Sequence, residues 1–155
     1  MIYSGTDRLQ SGPPTSFIMA GTRHYSPEGV QCALLIQQGD LDRAHEIAQN
    51  LDTPEGSFWH GIMHRREPDA WNAGYWFRKV GKHPIFPALL ETVSQIKKRY
   101  PEEWLPLGDR WDPFQWIDFW EQARVKPGSE MERMALEIQQ TEWQLLHDWC
   151  AGPTS

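Results

Sequence analysis

Apolar positions along this chain recur at helical spacing, and prolines, glycines and capping residues cut them into segments. Ser26-Pro27-Glu28 places an N-cap, a proline at the first helical position and an acid in the first turn. The helix it opens is predicted to run to Gln38 and to stop at Gly39. Asp40 caps the next, where Leu41, Ala44, Ile47, Ala48 and Leu51 follow one helix face. Asp52-Thr53-Pro54-Glu55 opens a third helix carrying FWHGIMHRR. Glu67-Pro68-Asp69 breaks it and starts a fourth, AWNAGYWFRKV, closed by Gly81. A fifth follows Pro84, with Phe86, Leu89, Leu90, Val93 and Ile96 on one face, and ends before Pro101. Residues 101–111 read as a loop rich in Trp and Pro. Asp112-Pro113 caps a sixth helix, and Ser129 with Glu132 forms a capping-box pattern for a last one ending near Cys150. No stretch alternates like a strand or offers a hairpin turn. The expectation is an all-α chain of about seven helices, in antiparallel helical hairpins packed as a repeat-like bundle. Residues 26–152 form the single domain. Residues 1–25, rich in Gly, Ser, Thr and Pro, form a mobile N-terminal arm that docks at most through Phe17–Met19.

A repeat lies inside this pattern. Aligning GDLDRAHEIA with EPDAWNAGYWF at an offset of 29 residues superposes Asp40 on Asp69, Ala44 on Ala73 and Ala48 on Phe77. With Gly61, the break at Pro68-Asp69, then Ala73, Phe77, Val80 and Pro84, residues 27–85 resemble a degenerate tetratricopeptide-type helix-turn-helix repeat. The period is shorter than that family's, and His60 and His64 stand where its motif has large apolar residues. The resemblance implies a binding scaffold that recognises a protein or peptide and has no chemistry of its own.

Composition narrows the classes. A hydrophobic share of 39% and a charged share of 23% are those of a globular protein, and no apolar run is long enough to span a bilayer. The opening MIYSGTDRLQ lacks a basic-then-apolar pattern, so no secretory signal is expected. Two cysteines, Cys32 and Cys150, make neither a disulfide framework nor a metal knuckle, which points to reduced thiols and a cytoplasmic location. A net charge of -6 argues against nucleic acid as a general partner.

Charge also singles out one stretch. From Ser57 to Pro84 the chain holds Arg65, Arg66, Arg78, Lys79 and Lys82 against only Glu67 and Asp69, a basic island in an acidic chain. The same stretch carries His60, His64, His83 and three tryptophans. On the third helix, Phe58, Trp59, Ile62 and Met63 make an apolar stripe, and His60, His64 and Glu67 follow one another a turn apart on another face. Histidines at i and i+4 can share one divalent metal ion, with a carboxylate as third ligand and His83 as a returning fourth. The plainer alternative is two packed, hydrogen-bonded histidines, since no HExxH pattern accompanies the pair. No organic cofactor motif occurs. On the fourth helix, Ala73, Trp76, Phe77 and Val80 face the core, and Trp71, Tyr75 and Arg78 face away, an interface-like composition. Helix five or the 101–111 loop covering that side is the alternative. His24, His45 and His147 read as surface or boundary residues. No Gly-rich phosphate loop and no nucleophile with an adjacent base is present.

Three readings follow, each with its own structural signature. An interaction protein recognising its partner, or a second copy of itself, through Trp71, Tyr75 and Arg78 needs an exposed aromatic face and no perturbed histidine. This is the reading that the sequence favours. A metal protein or enzyme needs His60, His64 and a carboxylate to converge. A binder of a small anionic ligand needs Arg65, Arg66 and Arg78 to converge, with no histidine pair among them.

Overall fold

The computed structural model describes residues 25–153, and among these it contains seven helices and no strand. They are α1 (Pro27–Gln37), α2 (Leu41–Gln49), α3 (Pro54–Arg66), α4 (Ala70–Val80), α5 (Phe86–Lys97), α6 (Pro113–Ala123) and α7 (Glu130–Ala151). The chain is all-α, as its pattern predicts. The expected mobile arm falls, but for Tyr25, outside the described residues.

The helix starts sit where the capping residues stand. Ser26, Asp40, Thr53, Asp69, Asp112 and Ser129 each accept a hydrogen bond from a first-turn amide, satisfying a donor that has no partner within its helix. Only α5 starts without a side-chain cap. Glu132 completes the cap of α7 from the other side, accepting from the Gly128 amide at 2.8 Å.

The third helix is the axis of the molecule. It packs against α1, α2 and α4, and α7 closes the far side on α1, α5 and α6. An apolar stripe on one side was expected for α3. Instead Phe58, Trp59, His60, Gly61, Ile62, Met63 and Arg65 are all buried, so the helix is covered around most of its circumference. Such close covering requires glycine at two places. A Cβ on Gly61 would lie 2.6 Å from the Phe77 ring of α4, and one on Gly56 would lie 2.0 Å from the Leu51 carbonyl oxygen. Leu105 and Trp111, from the loop before α6, add to the core that Leu89, Val93, Trp116, Phe119, Ile138 and Leu146 build.

Burial of α3 explains the first correction. Arg65, expected on an anion-binding or solvated basic face, is fully buried. Its guanidinium donates to both carboxylate oxygens of Glu142 on α7, at 2.5 and 3.1 Å, and lies 4.8 Å from the Trp116 ring centroid on α6. A buried guanidinium needs such a fork-to-fork partner because removing its charge from water is costly. No helix among the described residues is long and apolar enough to cross a membrane.

Candidate metal centre

Two elements bring three histidines together. His60 and His64 lie one turn apart on α3, and His45 approaches from α2. The His60 and His64 rings stack with centroids 5.1 Å apart, and His45 meets them edge-on at 4.5 and 5.7 Å. One donor atom from each residue lies within 4.8 Å of the other two. Around a tetrahedral ion with bonds of about 2.1 Å, such donors stand roughly 3.4 Å apart, so modest ring rotations close the set.

Each ring has a distinct environment. The Nδ1 of His64 lies 2.8 Å from Glu67 Oε1. A carboxylate is an acceptor, so Nδ1 is the donor in this bond, the arrangement that an outer carboxylate gives a metal-bound histidine. His60 is buried, and its Nδ1 has no hydrogen-bond partner among the described residues. Its ring stacks on Trp76 of α4, centroids 3.8 Å apart and planes 11° from parallel. Burial, then the neighbouring His45, His64 and Lys79, push the His60 pKa down to about 4. At neutral pH this imidazole is therefore unprotonated, and a metal ion meets little competition from protons there.

Glu67 and Asp69 form a second grouping with His64. Both carboxylates are engaged, Glu67 by His64 and Asp69 by the amide and side chain of Asn72. The bonds from Asn72 hold the Asp69 carboxyl below its ordinary range. That grouping orients His64 and caps α4.

His83 does not join the centre, which corrects the expected fourth ligand. It is buried at the other end of α3, where its Nε2 lies 2.8 Å from Glu55 Oε2 and its Nδ1 accepts from the Ile85 amide. Glu55 stands nine residues before His64, about 13 Å along the helix axis. The Trp149 indole donates to the same Glu55 oxygen.

No family model, curated protein or solved structure matches this chain. Its site must therefore be read from its own geometry.

The basic residues do not converge. Arg65 is held by Glu142, Arg66 is half-buried with Nη1 donating to the Ile36 carbonyl, and Arg78 is exposed on α4. Trp71 and Tyr75 are exposed beside it, at 74% and 41%, and Phe114 of α6 adds a third aromatic at 39%. Neither α5 nor the 101–111 loop covers that stripe. Trp76, assigned to the core, is half-buried and serves as the platform under His60.

Sequence reasoning missed His45, and a signal was available. His45 lies four residues after Leu41 and three before Ala48, in the buried row of α2 rather than opposite it. Lys79 was counted only as part of a basic face. Its Nζ lies 4.9 Å from the Trp76 ring centroid and 5.6 Å from that of Tyr75, which places its charge beside the histidines.

Proposed function

We propose that this chain is a metal-binding helical protein in which His45, His60 and His64 hold one first-row divalent ion, with zinc the natural occupant. One observation carries the reading: His45, His60 and His64 each bring a ring nitrogen within 4.8 Å of the other two, and the buried Nδ1 of His60 has no hydrogen-bond partner among the described residues. Leaving such a nitrogen unpaired costs free energy in a packed core, and coordination removes the cost. Imidazole donors suit zinc, copper, nickel and iron. Three protein ligands with one position open is the arrangement of catalytic rather than structural zinc, so the reading extends to activation of a bound water or ligand. Glu67 positions His64 and is not itself a ligand.

Elemental analysis of the purified protein, with zinc titration of chelator-stripped protein, tests this. One ion per chain is expected, lost in the His60→Ala/His64→Ala double variant. Glu67→Gln should keep the fold and weaken binding about 10- to 100-fold. Absence of stoichiometric metal in a wild-type protein that stays folded would sink the proposal.

A second reading rests on the exposed Trp71, Tyr75 and Arg78. Aromatic bodies beside an arginine make good interface anchors, so this face suits a protein or peptide partner or a second copy of the chain. The tetratricopeptide-like pattern of residues 27–85 belongs to this reading. If the partner is a second copy, sedimentation of wild type and Trp71→Glu reports it. A cytoplasmic location fits both readings, since Cys32 and Cys150 are buried free thiols with pKa values pushed up to about 12 by burial.

A further inference from the structure

The outward side of α4 has a definite order around its axis. At about 100° per residue, Gly74, Arg78, Trp71, Tyr75 and Lys79 follow one another over roughly 140° of the circumference, opposite the buried Ala73, Phe77 and Val80. Contacts fix both margins. A Cβ on Gly74 would lie 3.5 Å from Arg78 Nη1 and 4.0 Å from Phe114 Cε1, so Arg78 and the α6 phenylalanine meet over that glycine. On the other margin Lys79 Nζ lies 5.6 Å from the Tyr75 ring centroid. Trp71, Tyr75 and Phe114 are exposed, and so are the two cations that flank the α4 pair. Helix α4 contains no Asp or Glu. Neither Arg78 nor Lys79 forms a salt bridge among the described residues, where Arg43, Arg65, Lys97, Arg99 and Arg124 all do.

We propose that this strip docks an acidic peptide segment of another protein, its apolar side chains on Trp71, Tyr75 and Phe114 and its carboxylates on Arg78 and Lys79. The inference rests on the second reading above and adds the chemistry of the partner. Charge complementarity selects the occupant. Arginine offers a planar fork and lysine a movable point charge to a carboxylate, and neither is committed to an acid of its own. A second copy docking through a twofold axis would set the strip against itself, cations facing cations. An anionic bilayer would meet the whole molecule, which carries a net charge of -6 and exposes Asp118 one turn beyond Phe114. A narrow segment meets only the strip, and acids farther off than a Debye length of about 8 Å are screened from it. The exposed aromatic bodies then supply the anchors that charge alone does not.

The test pans a phage-displayed random peptide library on the full chain, with the Trp71→Ser/Tyr75→Ser variant as counter-selection. Both side chains are exposed, so that variant keeps its core. Enriched peptides should hold more Asp and Glu than the input library. A fluorescein-labelled synthetic copy of the commonest one should bind wild type, more weakly as salt rises. Arg78→Gln and Lys79→Gln should each weaken that binding about two- to fivefold, the range for one exposed ion pair. Enriched peptides with no acidic excess, or an affinity unchanged in both glutamine variants, overturn the acidic partner and leave the face standing as an interface. No peptide enriched on wild type over the double variant overturns the peptide partner altogether. Phosphatidylserine vesicles that co-sediment wild type and not the double variant would assign the face to a membrane instead.

Discussion

Arg65→Met measures how strongly the buried ion pair ties the central helix to the rest of the molecule. In the wild type both terminal nitrogens of Arg65 meet Glu142, at 2.5 and 3.1 Å, and both side chains are almost wholly removed from water. Methionine fills much of the arginine volume, so lost packing is a minor cost. What remains is a carboxylate at Glu142 with neither its cation nor its two hydrogen bonds. Stranding one member of a buried pair costs about 3–5 kcal/mol, and losing the guanidinium from the face of Trp116 adds up to about 2 kcal/mol. Against a total stability of about 5–15 kcal/mol, this is a large fraction. Urea unfolding followed by tryptophan fluorescence should show the midpoint falling with little change in slope. The double variant Arg65→Met/Glu142→Leu removes both charges and should recover at least about 2 kcal/mol of the loss, because an apolar pair can replace a buried ion pair at little cost. An Arg65→Met penalty below about 1 kcal/mol, or a double variant as unstable as the two singles added, would refute the reasoning.

Two further predictions concern packing and pH. Gly61→Ala sets a Cβ against the buried Phe77 ring and Gly56→Ala sets one against the Leu51 carbonyl oxygen. The first should cost about 1–3 kcal/mol and the second more, because a ring can yield where backbone cannot; equal stability of Gly56→Ala and wild type in urea would contradict this packing. Metal-free protein should lose stability on acidification, because the unfolded chain protonates this histidine near 6.5 and folded His60 only near 4. Between those values the unfolded state binds the extra proton, so the contribution is full above 6.5, declines as pH falls through the window and is gone below about 4. Its ceiling is about 3 kcal/mol, and a urea midpoint in wild type no more acid-sensitive than in His60→Phe would disprove the assignment.

The helical frame was legible because its signals are local. Ser26, Asp40, Asp69, Asp112 and Ser129 each announce a helix within four residues of sequence, and all five cap one in the structure. Burial of α3 was not legible in the same way. Its histidines and arginines read as a polar face, and only tertiary neighbours turn that face inward: Glu142 from 77 residues away for Arg65, and α2 and α4 for His60. The pairing of His60 with His64 follows from helical spacing, whereas adding His45 depends on how α2 lies along α3. His83 failed as a ligand for a related reason. Sequence proximity to the end of α4 says nothing about which end of α3 it meets, and Glu55 captured it.

The central helix therefore carries two kinds of polar burial with opposite electrostatic logic. At Arg65 the charge is kept and matched by a rigid bidentate partner, so the pair fixes α3 against α7, with only Nε left without a hydrogen-bond partner among the described residues. At His60 the charge is given up: burial above all, with His45, His64 and Lys79 nearby, holds the imidazole neutral, and its Nδ1 finds no partner among the described residues. The charge of the matched pair is balanced inside the protein, whereas a neutral imidazole beside two others offers the donor set on which the proposed metal reading rests. That asymmetry, found within five residues of one helix, favours the histidines as the proposed site and makes Arg65, a cation of the basic island, part of the scaffold.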